Sequence, residues 1–181
     1  MACHEPPRNS GASEGSVCAT VTRPLVIGIG NAYRRDDAVG LVIARHLLRE
    51  ASNTFEVREE NGEGASLLEA WGQSNNVILV DATHSGAVPG TVVRLDAGVT
   101  PVPIRYFRYS THAFGVAEAI ELARSLGRLP RRLVVFGVEG NDFTAGEGLS
   151  AEVAASVPGL LEAVTAEAQA LGRCDFEPPC G

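Results

Sequence analysis

Short apolar runs alternate along the chain with stretches whose apolar residues recur every three or four positions. The first run, Leu25-Val26-Ile27-Gly28-Ile29, lies between Pro24 and Gly30-Asn31 and has the β-branched composition of a strand buried on both faces. From Ala38 the period changes: Val39, Val42, Ile43 and Leu47 mark one helical face, with Asp36 or Asp37 placed to cap its start. Phe55 to Arg58 reads as a second strand. A polar loop through Glu60-Asn61-Gly62-Glu63-Gly64 then leads to a helix carrying Leu67, Leu68 and Trp71. Val77-Ile78-Leu79-Val80 is a fully apolar strand that runs directly into Asp81-Ala82-Thr83-His84. After the turn at Pro89-Gly90, Thr91 to Leu95 forms an additional strand. Ala113 to Ser125 is helical through Ala117, Ile120 and Leu122, and Leu133 to Val138 is the last strand. Leu149 to Leu171 closes the pattern as a helical stretch broken or restarted near Pro158-Gly159.

Strands alternating with amphipathic helices specify an α/β fold, a three-layer α/β/α sandwich around a mostly parallel, twisted sheet of about five strands. In such folds ligands collect at the carboxyl ends of the strands. Residues 1–23, rich in Gly, Ser, Pro and Glu, are expected to form a disordered tail, residues 24–171 one domain, and residues 172–181 a C-terminal tail.

Composition narrows the function classes. Hydrophobic residues make up 45% and charged residues 20%, a globular balance, and no apolar run reaches bilayer length. The opening residues carry no secretory pattern, so a cytoplasmic location is expected. A net charge of -7 without a Lys/Arg strip disfavours nucleic-acid binding. Cys3, Cys18, Cys174 and Cys180 lie in the terminal segments, where reduced, non-structural thiols are expected. No sustained heptad seam is present, and a monomer is the expected state.

Three residues are candidates for chemistry. Asp37 sits at the loop-to-helix junction after the first strand, Asp81 at the carboxyl end of the central strand, and His112 just before a helix in Ser110-Thr111-His112-Ala113-Phe114. Two carboxylates and an imidazole suit a borderline divalent ion such as nickel or zinc. Asp37 is equally suited to a helix cap and Asp81 to a turn, but a carboxylate ending an apolar strand demands a cation or donors. Gly28-Ile29-Gly30 resembles the start of a dinucleotide fingerprint, yet its third glycine would fall at Tyr33, so no nucleotide cofactor is expected. There is no Gly-x-Ser-x-Gly elbow and no scaffold cysteine for nucleophilic catalysis. His46 reads as a packed or half-exposed helix residue, His84 as a solvated loop residue or an outer donor to the crevice, and Arg34 and Arg35 as a solvated loop face.

With those residues in view, the chain resembles the hydrogenase maturation endopeptidases from about Leu25 to about Val164. Four elements in order carry the resemblance: Val26-Ile27-Gly28-Ile29-Gly30-Asn31 with Arg35-Asp36-Asp37-Ala38-Val39-Gly40; Leu79-Val80-Asp81-Ala82; Ser110-Thr111-His112 with Phe114-Gly115; and Phe136-Gly137-Val138-Glu139-Gly140 with Gly148-Leu149-Ser150. The resemblance implies that Asp37, Asp81 and His112 contact nickel. It further implies that the nickel arrives with the substrate, the precursor of a [NiFe]-hydrogenase large subunit, whose C-terminal extension is then removed. Either the metal polarises water or carbonyl, or Asp37 or Asp81 serves as general base. Two departures stand out. The acidic pair is Asp36-Asp37 where relatives often carry Asp-Glu, and Glu60-Asn61-Gly62-Glu63-Gly64 replaces an Asp-Gly-Gly-Thr type of loop that is a candidate determinant of substrate choice. A non-catalytic nickel-binding chaperone on the same fold is the rival reading, and a hydrolase with a permanently bound ion is a third.

Overall fold

The computed structural model describes residues 23–50, 53–72, 74–103 and 114–174; His112, Cys3, Cys18, Cys180 and nearly all of the expected N-terminal tail lie outside the described residues. Among the described residues five strands form one sheet. β1 (Leu25–Ile29) pairs in parallel with β2 (Glu56–Glu60) on one side and β3 (Asn76–Thr83) on the other. The strand β5 (Arg132–Glu139) runs parallel to β3, and β4 (Val92–Asp96) closes that edge antiparallel to it, giving the order β2-β1-β3-β5-β4. The apolar strands β1, β3 and β5 therefore occupy the middle, where both faces are covered, while β2, whose sequence Glu-Val-Arg-Glu-Glu is mostly charged, occupies an edge.

Side chains alternate across each strand and so feed two cores. Leu25, Ile27, Val77, Leu79, Leu133 and Val135 face one layer. There they pack with Leu67 and Trp71 of α2 (Gly64–Trp71) and with Val116, Ala117 and Ile120 of α3 (Val116–Ser125). Val26, Ile78, Val80, Val134 and Phe136 face the other layer, against Val39, Ile43 and Leu47 of α1 (Val39–Arg49) and Val153, Leu160 and Val164 of α4 (Ala151–Cys174). Each such aliphatic side chain, removed from water, contributes about 1.5–3 kcal/mol, which favours this layering over alternatives that would leave one sheet face wet.

Three boundaries differ from the sequence pattern for identifiable reasons. Helix α4 is continuous through Pro158, and it ends at Cys174. Proline in a helix interior costs about 3 kcal/mol or more. Here Pro158 and Gly159 lie on the exposed side, while Val153, Leu160, Val164, Ala168 and Leu171 form a buried stripe that holds both halves against the sheet. Strand β3 continues past its apolar run, because Asp81, Ala82 and Thr83 find ladder partners in Gly137, Val138 and Glu139. In α3, Ala117 and Ile120 are buried as expected, together with Ala123, whereas Leu122 is 39% exposed. No helix among the described residues is long and apolar enough to cross a membrane.

Candidate active site

At the carboxyl ends of β1 and β3 the backbone of α1 lies directly on the sheet, and glycines make that approach possible. A Cβ on Gly40, in the first turn of α1, would stand 2.2 Å from the Val80 carbonyl oxygen and 2.3 Å from that of Ile29. One on Gly28 would meet the Gly40 carbonyl oxygen at 2.1 Å, and one on Gly30, whose φ is +144°, the Asp37 carbonyl oxygen at 1.7 Å. The Gly28-x-Gly30 pattern thus serves close contact between strand and helix and the turn between them. Its consequence is to set Asp37, in the single 3-10 turn Arg35–Ala38 ahead of α1, close to the end of the central strand.

Asp81 lies two residues inside β3 on the α2/α3 side by strand alternation, 7% exposed, with the Ala82 N–H donating to its Oδ1 at 2.8 Å. Burial pushes its carboxyl up to about 8, and the charge of Asp37 adds to the rise, against the opposing bond from Ala82. Two of the three expected site residues are therefore electrostatically coupled at the predicted end of the sheet. The third, His112, lies outside the described residues. Phe114, two positions later in the chain, is fixed at the start of α2: its carbonyl accepts from the Gly64 N–H at 3.0 Å, and its ring fills the space a Cβ on Gly64 would need. Among the described residues no group of three or more His, Cys, Asp and Glu is arranged to hold an ion.

Neither aspartate of the acidic pair caps the 3-10 turn or α1. Asp36 is instead fully buried against the loop 141–150. Its Oδ2 accepts from the backbone N–H groups of Asn141 and Asp142 at 2.8 and 2.9 Å and from the Ser150 hydroxyl at 2.9 Å, while Oδ1 accepts from the Ser150 N–H at 2.6 Å. Burial alone would raise its pKa; the bonds from Ser150, Asp142 and Asn141 outweigh burial and hold it below the usual carboxylate value. The same segment is sewn to that loop by the Arg35 N–H to the Gly146 carbonyl, the Asp36 N–H to the Asp142 carbonyl, and an Arg35–Asp142 ion pair at 3.2 Å. Arg34 donates to the Phe143 carbonyl at 3.3 Å, so both arginines tie the turn to the loop while Arg35 remains exposed, as expected of a solvated loop face.

A third buried carboxylate ends β5. Glu139 accepts from the Thr83 hydroxyl, the Ser85 N–H and hydroxyl, and the Gly86 N–H, at 2.7–3.0 Å. Those donors overcome the effect of burial and hold it below its ordinary value. It fixes the loop after β3. On that loop the exposed His84 meets the ring of Phe143 edge-on at 5.7 Å. His46 is exposed on α1. The loop before α2 is also ordered from within: Glu63 caps that helix by accepting from the Ala65 and Ser66 N–H groups, and the Ser66 hydroxyl donates to Glu60 at 2.7 Å. Asp36 and Glu139 escaped the sequence reading as anchors. For Glu139 the signal was present, since the argument that singled out Asp81, a carboxylate ending an apolar strand, applies to it equally.

Comparison with known proteins agrees with this fold. Residues 49–167 match the model of the hydrogenase maturation protease family, a span that includes Asp81, His112, Glu139 and Ser150 and begins after Asp36 and Asp37. The chain is 29% identical over 143 residues to the hydrogenase expression/formation protein HupD of Rhizobium leguminosarum bv. viciae, covering 77% of this chain and 71% of that protein. It is also 29% identical over 147 residues to the hydrogenase 2 maturation protease of Escherichia coli K12, covering 80% and 89%. The solved structure of the hydrogenase maturating endopeptidase HybD from E. coli superposes with a TM-score of 0.68 at 26% identity, over 83% of this chain and 94% of that one.

Proposed function

Because this chain belongs to the hydrogenase maturation protease family, and is thereby a hydrolase, we propose that it is an endopeptidase that recognises nickel in the precursor of a [NiFe]-hydrogenase large subunit and removes its C-terminal extension. The observation that carries this reading is the coupled pair of Asp37 and Asp81. Two carboxylates at a carboxyl-end crevice, one of them buried and pushed up to about 8, form a site whose ionised state is costly until a cation arrives. A dication delivered inside the substrate meets that demand without a resident metal. His112 is the third ligand in this reading, supported by the anchoring of Phe114 at the start of α2 on the Asp81 side of the sheet. Two hard oxygens and one imidazole suit nickel while leaving positions for the precursor's own ligands.

Before substrate arrives, Asp81 holds a proton at neutral pH. Approach of the precursor's nickel expels that proton and leaves a carboxylate, which both grips the ion and borders the water that attacks the scissile carbonyl. Asp37, nearer solvent, completes the grip. Cleavage releases the tail, and a cytoplasmic location is part of the same proposal.

The test is the intact mass of nickel-loaded and nickel-free large-subunit precursor before and after incubation with the protein. A tail-sized loss confined to the nickel-loaded sample is expected. Equal loss in both samples would leave a protease without a nickel gate, and no loss in either would turn the reading into that of a nickel-binding chaperone. Alanine at Asp37, Asp81 or His112 each abolishes processing if the ligand set is right.

A further inference from the structure

We infer that Asp36 is a positioning residue: its buried carboxylate sets the direction of Asp37, toward the end of β3, by tying the 3-10 turn to the loop 141–150. The inference rests on the proposed nickel site. It starts from a mechanical problem. Asp37 stands in a single 3-10 turn ahead of α1, close to the end of β3, so its direction depends on how that turn is held. The usual device, a side-chain cap at the helix start, is absent both from the 3-10 turn and from α1. Arg35, at the head of the turn, has a φ of +46°, a left-handed conformation that a non-glycine residue keeps only when its surroundings impose it.

What imposes it is the loop between β5 and α4. Four donors converge on Asp36, two further backbone bonds join the turn to Gly146 and Asp142, and the Arg35 guanidinium pairs with Asp142. In a turn of three residues per cycle, neighbouring side chains diverge by about 120°. Asp36 can therefore reach inward to the loop only while Asp37 projects elsewhere, toward the strand end. The anchor fixes the direction of its neighbour. Ser150, which supplies two of the four donors, stands immediately before α4, so the longest helix is the fixed end of the tie.

Asp36→Asn is close to isosteric, but its amide must place one NH2 against an N–H donor, whichever way it is turned. Loss of such an outer partner is expected to weaken Ni2+ binding by about 10- to 100-fold. Ser150→Ala removes the hydroxyl alone and serves as the milder variant. Leu171→Ala, in the last turns of α4 and buried in the core, serves as the stability control.

Titration of the full chain with Ni2+ alone, melting temperature, and processing of the nickel-loaded precursor are measured for all three. The expectation is that Asp36→Asn and, to a lesser degree, Ser150→Ala weaken Ni2+ binding and slow processing, while Leu171→Ala lowers the melting temperature and leaves both intact. In an Asp37→Ala background, Asp36→Asn should add nothing to the loss of Ni2+ binding. If Asp36→Asn and Ser150→Ala lower the melting temperature and, like Leu171→Ala, leave Ni2+ binding intact, or if the Asp36 effect persists undiminished without Asp37, Asp36 is a structural residue only. Failure of the wild-type chain to bind Ni2+ and cut the precursor would overturn the functional reading and this inference with it. Normal wild-type behaviour with unaffected variants would overturn this inference alone.

Discussion

Asp81→Asn should make the metal-free protein more stable, and increasingly so as pH rises. In the folded chain the carboxyl of Asp81 is pushed up to about 8, chiefly by burial and then by Asp37, from an ordinary value of 3.8. Between those values the folded state retains a proton that the unfolded state has released. Stability attributable to this group is therefore greatest below about pH 4 and declines as pH rises, levelling off above the folded value. Each pH unit in that window corresponds to about 1.4 kcal/mol, so a full shift costs about 4 kcal/mol between pH 5 and pH 8. Asparagine keeps the shape and the acceptor for the Ala82 N–H without the titration. Relative to wild type, Asp81→Asn should accordingly gain up to about 4 kcal/mol between pH 5 and pH 8, roughly 10 °C in melting temperature for a domain of this size. The assay is urea and thermal unfolding of both proteins with a chelator present, at intervals across that range. An Asp81→Asn advantage that is flat with pH, or that grows toward acid, would refute the reasoning. The same variant should process no precursor, which would make Asp81 a site where function is retained at the expense of stability.

Ni2+ binding at pH 7 should release about one proton from the wild-type chain and none from Asp81→Asn, read by calorimetry in buffers of different ionisation enthalpy. Gly40→Ala places a methyl 2.2 Å from the Val80 carbonyl oxygen and should destabilise by about 3 kcal/mol while lowering processing, checked by unfolding and precursor mass. Glu139→Gln replaces a carboxylate held by four donors and should cost about 1–3 kcal/mol at neutral pH. Because the folded pKa of Glu139 is depressed, the wild-type advantage is present above its ordinary value of 4.5 and is lost as pH falls through the folded value, so the two proteins should converge in acid.

The layered fold was legible because its signals are local. β1, β3 and β5 announce themselves as uninterrupted apolar runs, and α1 by its period, so the parallel core followed from patterning alone. Pro158 misled because a local rule, that proline ends a helix, met a long-range gain. The buried stripe from Val153 to Leu171 spans both sides of the proline and outweighs the lost bond. The end of β3 was misplaced for a related reason, since polar Asp81 and Thr83 look like loop until Gly137 and Glu139 supply the ladder opposite them.

The site was legible by position and only partly by role. That Asp37 and Asp81 would meet followed from where loops after parallel strands must lie. That adjacent aspartates would divide the work did not, because Asp36 and Asp37 are chemically identical and their sequence context is shared. What separates them is the loop 141–150, more than a hundred residues away, whose N–H groups turn Asp36 into a low-pKa anchor, whereas burial at the end of β3 raises Asp81. The two carboxylates are opposites in the same sense that a solvated and a desolvated ion are. One is satisfied by donors before any substrate comes; the other has, among the described residues, only the Ala82 N–H, and in the proposed function it is this one that would discriminate a precursor carrying metal from one that does not.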